Sequence, residues 1–173
     1  MKRLCRLWAL VTLAATTSAS ATEVGTTRQV GVGFALGDPT GLVAKWFLGN
    51  GNALDAGLSL FSAFGRCRVE GAWEGCGSRT NVALNLDYLW QETLLEETGR
   101  LDWHVGAGGR IWLYTGDDRA NDFAFAGRLP VGLDYMPPRP DRLELYLEFA
   151  PIFYVLPSLN LYLEAALGGR FYF

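Results

Sequence analysis

Eleven charged residues recur on the polar side of alternating segments: Lys45, Asp55, Asp87, Asp102, Arg110, Arg128, Asp134, Glu144, Glu148, Glu164 and Arg170. The chain's one histidine, His104, shares the spacing of Asp102 and Arg110. Carboxylates gathered with cations can move a proton through a histidine, pass cations along a ring of acids, or neutralise one another as ion pairs. Nucleophilic catalysis needs an activated hydroxyl or thiol beside a base that is itself oriented. The neighbours of His104 two positions away are Asp102 and Gly106, and Ser59, Ser62, Ser78 and Ser158 belong to other segments, toward the far end of the molecule. No catalytic residue is therefore assigned, and His104 is expected to pair with a carboxylate such as Asp102, Asp87 or Glu148.

The elements that would position these groups follow from their period. Strict alternation of apolar and polar residues marks a strand with two different surroundings. It is clearest in Leu161, Leu163, Ala165, Leu167, Gly169, Phe171 and Phe173, set against Asn160, Tyr162, Glu164, Ala166, Gly168, Arg170 and Tyr172. The same pattern spans 30–36, 42–48, 54–60, 81–88, 101–113, 123–135 and 143–149, which predicts eight strands. Most have the length that a tilted strand needs to cross a bilayer, and an even number suits a closed up-and-down barrel. Gly37-Asp38-Pro39-Thr40, Gly49-Asn50-Gly51-Asn52 and Pro137-Pro138-Arg139-Pro140 read as turns, since Gly and Asn accept positive φ and Pro interrupts a ladder. Residues 37–40, 62–79, 114–122 and 154–157 then connect strands at one end, and 49–52, 91–100 and 137–141 at the other.

A soluble barrel would turn its apolar face inward around a ligand. The polar faces here hold many Gly and Ala among the charges, as a crowded, narrow lumen requires. Trp46, Tyr88, Trp90, Trp103, Tyr135, Phe171 and Phe173 gather near one end like an interfacial girdle. The expectation is therefore an all-β, eight-stranded antiparallel up-and-down transmembrane β-barrel, with four cations facing seven carboxylates inside. Eight strands leave an interior just wide enough for side chains. Buried charges are tolerable when paired, so a salt-bridged plug is expected, with a narrow cation-preferring pore as the alternative.

Composition fits this reading. The chain has 173 residues, 50% hydrophobic and only 19% charged, whereas soluble domains are normally about a quarter charged. The apolar residues are dispersed, so no segment after the first twenty residues approaches a transmembrane helix. Lys2, Arg3 and Arg6, an apolar run from Leu7 to Ala15, and Ala19-Ser20-Ala21 form a secretory signal peptide over 1–21, leaving 22–173 as the barrel. Its loss takes the formal charge from −3 to −6, which argues against nucleic-acid binding. Cys67 and Cys76 read as one disulfide pinning an external loop that also carries Arg66, Arg68, Arg79 and Trp73. Asp117, Asp118, Asn121 and Asp122 are rich in oxygen but lack the spacing of a calcium loop, so no metal or cofactor is assigned. Gly106-Ala107-Gly108-Gly109 opens no helix and reads as packing within the lumen.

The terminal Gly169-Arg170-Phe171-Tyr172-Phe173 resembles the C-terminal signature by which outer-membrane proteins are recognised for barrel assembly. The resemblance implies Phe171 and Phe173 as the assembly signal and the assembly machinery as a partner. The segment 32–42, then Lys45-Trp46, Leu54-Asp55-Ala56-Gly57-Leu58, Asp87-Tyr88-Leu89-Trp90, Pro130-Val131-Gly132-Leu133 and Glu148-Phe149-Ala150-Pro151, is similar to an uncharacterised family of small eight-stranded outer-membrane β-barrel proteins of diderm bacteria. That resemblance covers nearly the whole chain after residue 21. It implies an outer-membrane location without supplying catalytic residues. Some small outer-membrane barrels modify lipid A, which keeps that enzymatic activity as a minor alternative. The expected role is structural or interaction-related, in a monomer surrounded by outer-membrane lipid and lipopolysaccharide.

Overall fold

The computed structural model describes residues 23–61, 66–69, 72–75, 80–115, 123–156 and 159–173. Among them lie β1 (Val30–Gly37), β2 (Thr40–Gly49), β3 (Asn52–Phe61), β4 (Arg66–Val69), β5 (Ala72–Gly75), β6 (Thr80–Leu95), β7 (Arg100–Thr115), β8 (Phe123–Arg128), β9 (Val131–Met136), β10 (Leu143–Leu156) and β11 (Asn160–Tyr172). Nine of these join in one antiparallel sheet that closes on itself through β1 and β11. None of the described elements is a helix. The expected signal peptide lies outside the described residues.

The strand expected over 123–135 is broken into β8 and β9, which lie end to end between β7 and β10. Nine segments therefore fill eight positions around the ring. The break falls at Leu129 and Pro130, opposite Ala150 and Pro151 of β10. The two prolines, diagonal to one another across this break, remove two donors from the ladder. The remaining bonds are kept by Leu129 N–H donating to the Pro151 carbonyl at 3.1 Å and Gly106 N–H donating to the Pro130 carbonyl at 2.8 Å.

Two connections also differ from expectation. The turn placed at 91–100 shrinks to 96–99, because β6 continues to Leu95. Within 62–79, read as a loop, β4 and β5 form a separate two-stranded hairpin. The turn at 49–52 is as its residues dictate: φ is +89° at Gly49, +54° at Asn50 and +75° at Gly51.

The barrel is inverted relative to a soluble protein. Val32, Phe34, Leu86, Ile111, Leu147, Phe149 and Leu167 are exposed on its outer wall, while Lys45, Asp87, Arg110, Asp134 and Glu144 are buried. The apolar-inward alternative therefore fails. Space inside is made by glycines: a β-carbon on Gly31 would meet the Tyr172 ring at 2.6 Å, and one on Gly168 the Tyr146 ring at 2.6 Å.

One apolar cluster closes the interior at the end of the short turns, formed by Phe47, Ala53, Leu89, Met136 and Tyr172 together with Val24. Val24 belongs to a tight turn ahead of β1 in which Gly25 N–H donates to the Arg28 carbonyl at 2.8 Å. Arg28 pins that turn to Glu23 at 2.9 Å and to Asp141, in the β9–β10 turn, at 3.1 Å. An aspartate at position 24 would bury a carboxylate among these apolar side chains in place of the valine's packing, which costs on the order of a few kcal/mol. Val24→Asp is expected to free the segment and speed trypsin cleavage after Arg28 at least tenfold, read by mass spectrometry. An unchanged cleavage rate would show that Val24 does not anchor it.

Candidate functional site

The interior between this cluster and the opposite mouth is a charge network. Arg170 of β11 reaches Asp55 of β3 and Glu144 of β10, with both N–O distances at 2.5 Å. Its guanidinium also lies over the Tyr146 ring, 3.9 Å from the centroid. Lys45 of β2 donates to Asp134 of β9 and to Glu144, each at 3.1 Å. β2 and β9 occupy opposite sides of the ring, so one lysine ties the barrel across its width. The Tyr172 hydroxyl adds a bond to Glu144 at 2.9 Å, and Gln91 adds one to Asp134 at 2.8 Å.

Nearer the long connections, Arg128 of β8 pairs with Asp87 of β6, and with Glu148 of β10 at 2.5 Å. Arg110 of β7 pairs with Glu164 of β11. Above it a second apolar cluster gathers Ala83, Trp112, Ala124, Ala126 and Ile152, with Tyr154 stacked on Trp112 at 4.7 Å. The lumen is thus layered: apolar, charged, apolar.

His104 sits within the charged layer. Its Nδ1 is 2.7 Å from Asp134 and its Nε2 is 3.2 Å from Glu148. Each ring nitrogen therefore has a carboxylate partner, the arrangement in which an imidazolium donates from both. Neither nitrogen is left to accept a proton from a hydroxyl nucleophile. Of the partners expected for His104, Glu148 takes that place, while Asp87 is held by Arg128 and Asp102 by Arg100.

Arg100 escaped the sequence reading, although it extends the parity of Asp102 and His104 by one step. It grips Asp102 at 2.6 Å through one terminal nitrogen, while another donates to the Val24 carbonyl at 2.9 Å. Thr93 completes the site, donating to Asp102 at 2.8 Å. With Arg100 included, five permanent cations and one titratable His104 face seven carboxylates, so the interior is closer to neutral than four against seven implied.

The other expected site residues are distributed as follows. Phe171 and Phe173 lie on the outer wall at the end of β11, their rings 5.5 Å apart, and Phe173 N–H donates to the Val30 carbonyl at 3.0 Å. Trp46, Trp90 and Tyr135 are exposed near the same end. Cys67 lies in β4 opposite Glu74, whereas Cys76 falls outside the described residues, as do Asp117, Asp118, Asn121 and Asp122. Among the described residues, no group of three or more His, Cys, Asp or Glu is arranged to hold a metal ion.

This architecture is similar to the N-terminal β-barrel domain of Pseudomonas aeruginosa OprF, known from a crystal structure. The TM-score is 0.53 at 14% sequence identity, over 83% of this chain and 94% of that one. At that identity the likeness shows the fold, a closed antiparallel β-barrel. No protein-family model matches the sequence, and no curated protein matches it.

Proposed function

We propose that the chain is an integral outer-membrane β-barrel protein of structural or interaction role, with a lumen closed by ion pairs. The observation that carries this reading is the inverted distribution of polarity. Outward residues of β10 run from Leu143 to Val155 without a charge. At about 3.3 Å per residue and a tilt of about 40°, that apolar band is roughly 30 Å tall, enough to span the hydrocarbon core of a membrane. Water would leave this wall unsolvated, whereas lipid suits it. Cleavage after residue 21, the Cys67–Cys76 bridge, and recognition of Phe171 and Phe173 by assembly machinery belong to the same reading. So do a monomeric state and membership of the small outer-membrane barrel family.

The interlocked Lys45, Arg110, Arg128 and Arg170 favour a closed barrel over a cation-preferring pore. The engagement of both His104 nitrogens favours a non-enzymatic role over lipid A modification. The full-length protein is expected in the membrane fraction, with gel mobility that changes on heating, and to give no reproducible conductance in planar bilayers. Stepwise cation-selective currents would replace the closed reading with the pore. A soluble product with unshifted mobility would remove the membrane reading.

A further inference from the structure

The wall of the ring is lower on one side. β1 ends at Gly37, opposite Ala166 of β11, whereas β11 extends beside β10 as far as Asn160. The turn from β1 into β2 closes on itself, the Thr40 hydroxyl donating to the Gly37 carbonyl at 2.7 Å. It ties to β11 through Asp38 N–H, which donates to the Ala165 carbonyl at 2.9 Å.

Main-chain groups of an antiparallel strand point alternately to its two neighbours. The Ala165 carbonyl and Phe173 N–H bond on the β1 side, while Tyr172 N–H bonds to the Arg142 carbonyl on the other. The N–H and C=O groups of Leu163 and Leu161 therefore face the place where β1 has ended. Among the described residues, no strand pairs with β11 there. Exposure agrees: Leu163 and Leu161 are 69% and 65% exposed, against 46% and 44% for Leu145 and Leu147 in the closed part of the wall. Above the turn lies a notch two strands wide, about 10 Å.

Depth and hydrogen bonding define what fits it. Leu163 lies beside Pro151 and Leu161 beside Phe153, near the upper end of the uncharged band of β10. If that band spans hydrocarbon, the notch lies where hydrocarbon gives way to headgroups, and open main-chain groups are costly there. A second copy in the same membrane shares this orientation, so its β11 runs the same way, and tilts of about 40° make the two edges cross. A strand from another protein would present a new open edge to lipid in its turn. A lipid ends the ladder. An ester linkage has acceptors alone, whereas a secondary amide carries the N–H and C=O of a strand residue. The exposed Leu36 and Leu42, on the outer wall beside the turn, offer a surface to its acyl chain.

We propose that the notch binds one membrane lipid with an amide-linked acyl chain, the amide pairing with the main chain of Leu161 and Leu163. The proposal rests on the membrane reading above.

The test places the full-length protein in nonionic detergent micelles with equal amounts of sphingomyelin and phosphatidylcholine, which share a headgroup and differ in amide against ester linkage. Native mass spectrometry reads the lipid retained. Wild type is expected to retain one sphingomyelin at least tenfold in preference. Proline is tolerated on a strand where its missing N–H faces an open edge. L163P is therefore expected to keep the heat-shifted mobility and lose the preference, while L163A, which retains the N–H, keeps both. Should L163P not fold, L161P carries the same comparison. Failure of both proline variants to fold shows that protein pairs this edge and overturns the proposal, as does a dimer mass in place of bound lipid. Preference retained by a folded proline variant also overturns it. A wild type that neither shifts on heating nor inserts into phosphatidylcholine vesicles overturns the membrane reading and this proposal with it. Insertion with equal retention of the two lipids overturns this proposal alone.

Discussion

Replacement of Arg170 by methionine is expected to destabilise the barrel by about 3–5 kcal/mol, the cost of removing one partner from a buried ion pair. The substitution keeps most of the side-chain volume, so the loss is electrostatic rather than a cavity. Arg170 supplies donors to both Asp55 and Glu144. Glu144 keeps Lys45 and Tyr172 on its other oxygen. Asp55 loses its only described hydrogen-bond donor, and two carboxylates face it in the same layer, Asp87 directly across on β6 and Glu148 further along. The urea midpoint of the heat-shifted band in lipid vesicles measures the effect. Neutralising the stranded acid should then recover part of it: D55N in the R170M background is expected to restore about 1–2 kcal/mol, although D55N alone destabilises. Effects of R170M and D55N that simply add, within about 0.5 kcal/mol, would mean that these groups do not interact.

This network shows where sequence reasoning stops. That Arg170, Asp55 and Glu144 point inward was legible, because each lies on the polar side of an alternating strand and the period of two leaves no other choice. Which of them meet was not. Partner choice depends on the stagger of strands around the ring, and that stagger is fixed by long-range pairing. Lys45 finds Asp134 across 89 positions of sequence. His104 illustrates the same limit, since Asp102 is its nearest acid in sequence yet is turned to Arg100. Asp134 instead comes from β9, which pairs with β7 at this level.

Turns and closure were legible to different degrees. Gly49-Asn50-Gly51 announces positive φ by composition, and the structure uses it at all three residues. The break between β8 and β9 was half legible, for Pro130 and Pro151 are visible in the sequence, but only the register shows them near one another. Val24 was invisible, since it precedes the first alternating segment and its burial depends on Phe47, Leu89, Met136 and Tyr172 from four other strands or strand ends.

Substitution of Gly33 by valine is expected to prevent barrel formation, the largest effect among these predictions. Gly33 lies opposite Arg170 in the seam where β1 meets β11. A β-carbon there would sit 1.8 Å from the Gly169 carbonyl oxygen and 2.7 Å from the Arg170 α-carbon. Both are backbone atoms, so no rotamer change relieves the clash, and the strands must part. The seam runs from Gly31 paired with Tyr172 to Gly37 paired with Ala166. Opening it within hydrocarbon would expose backbone donors and acceptors at several kcal/mol each, more than the roughly 5–15 kcal/mol by which a typical fold is stable. No heat-shifted band should form in vesicles with G33V. Gly127 provides the control, because it is on the outer wall and nothing lies within 4 Å of a β-carbon built there. G127A is expected to fold as wild type or to gain a few tenths of a kcal/mol from a less flexible unfolded chain. A G33V protein that folds with the wild-type midpoint would place the seam in another register, while failure of both variants would mean that glycine is needed for assembly rather than for closure at this position.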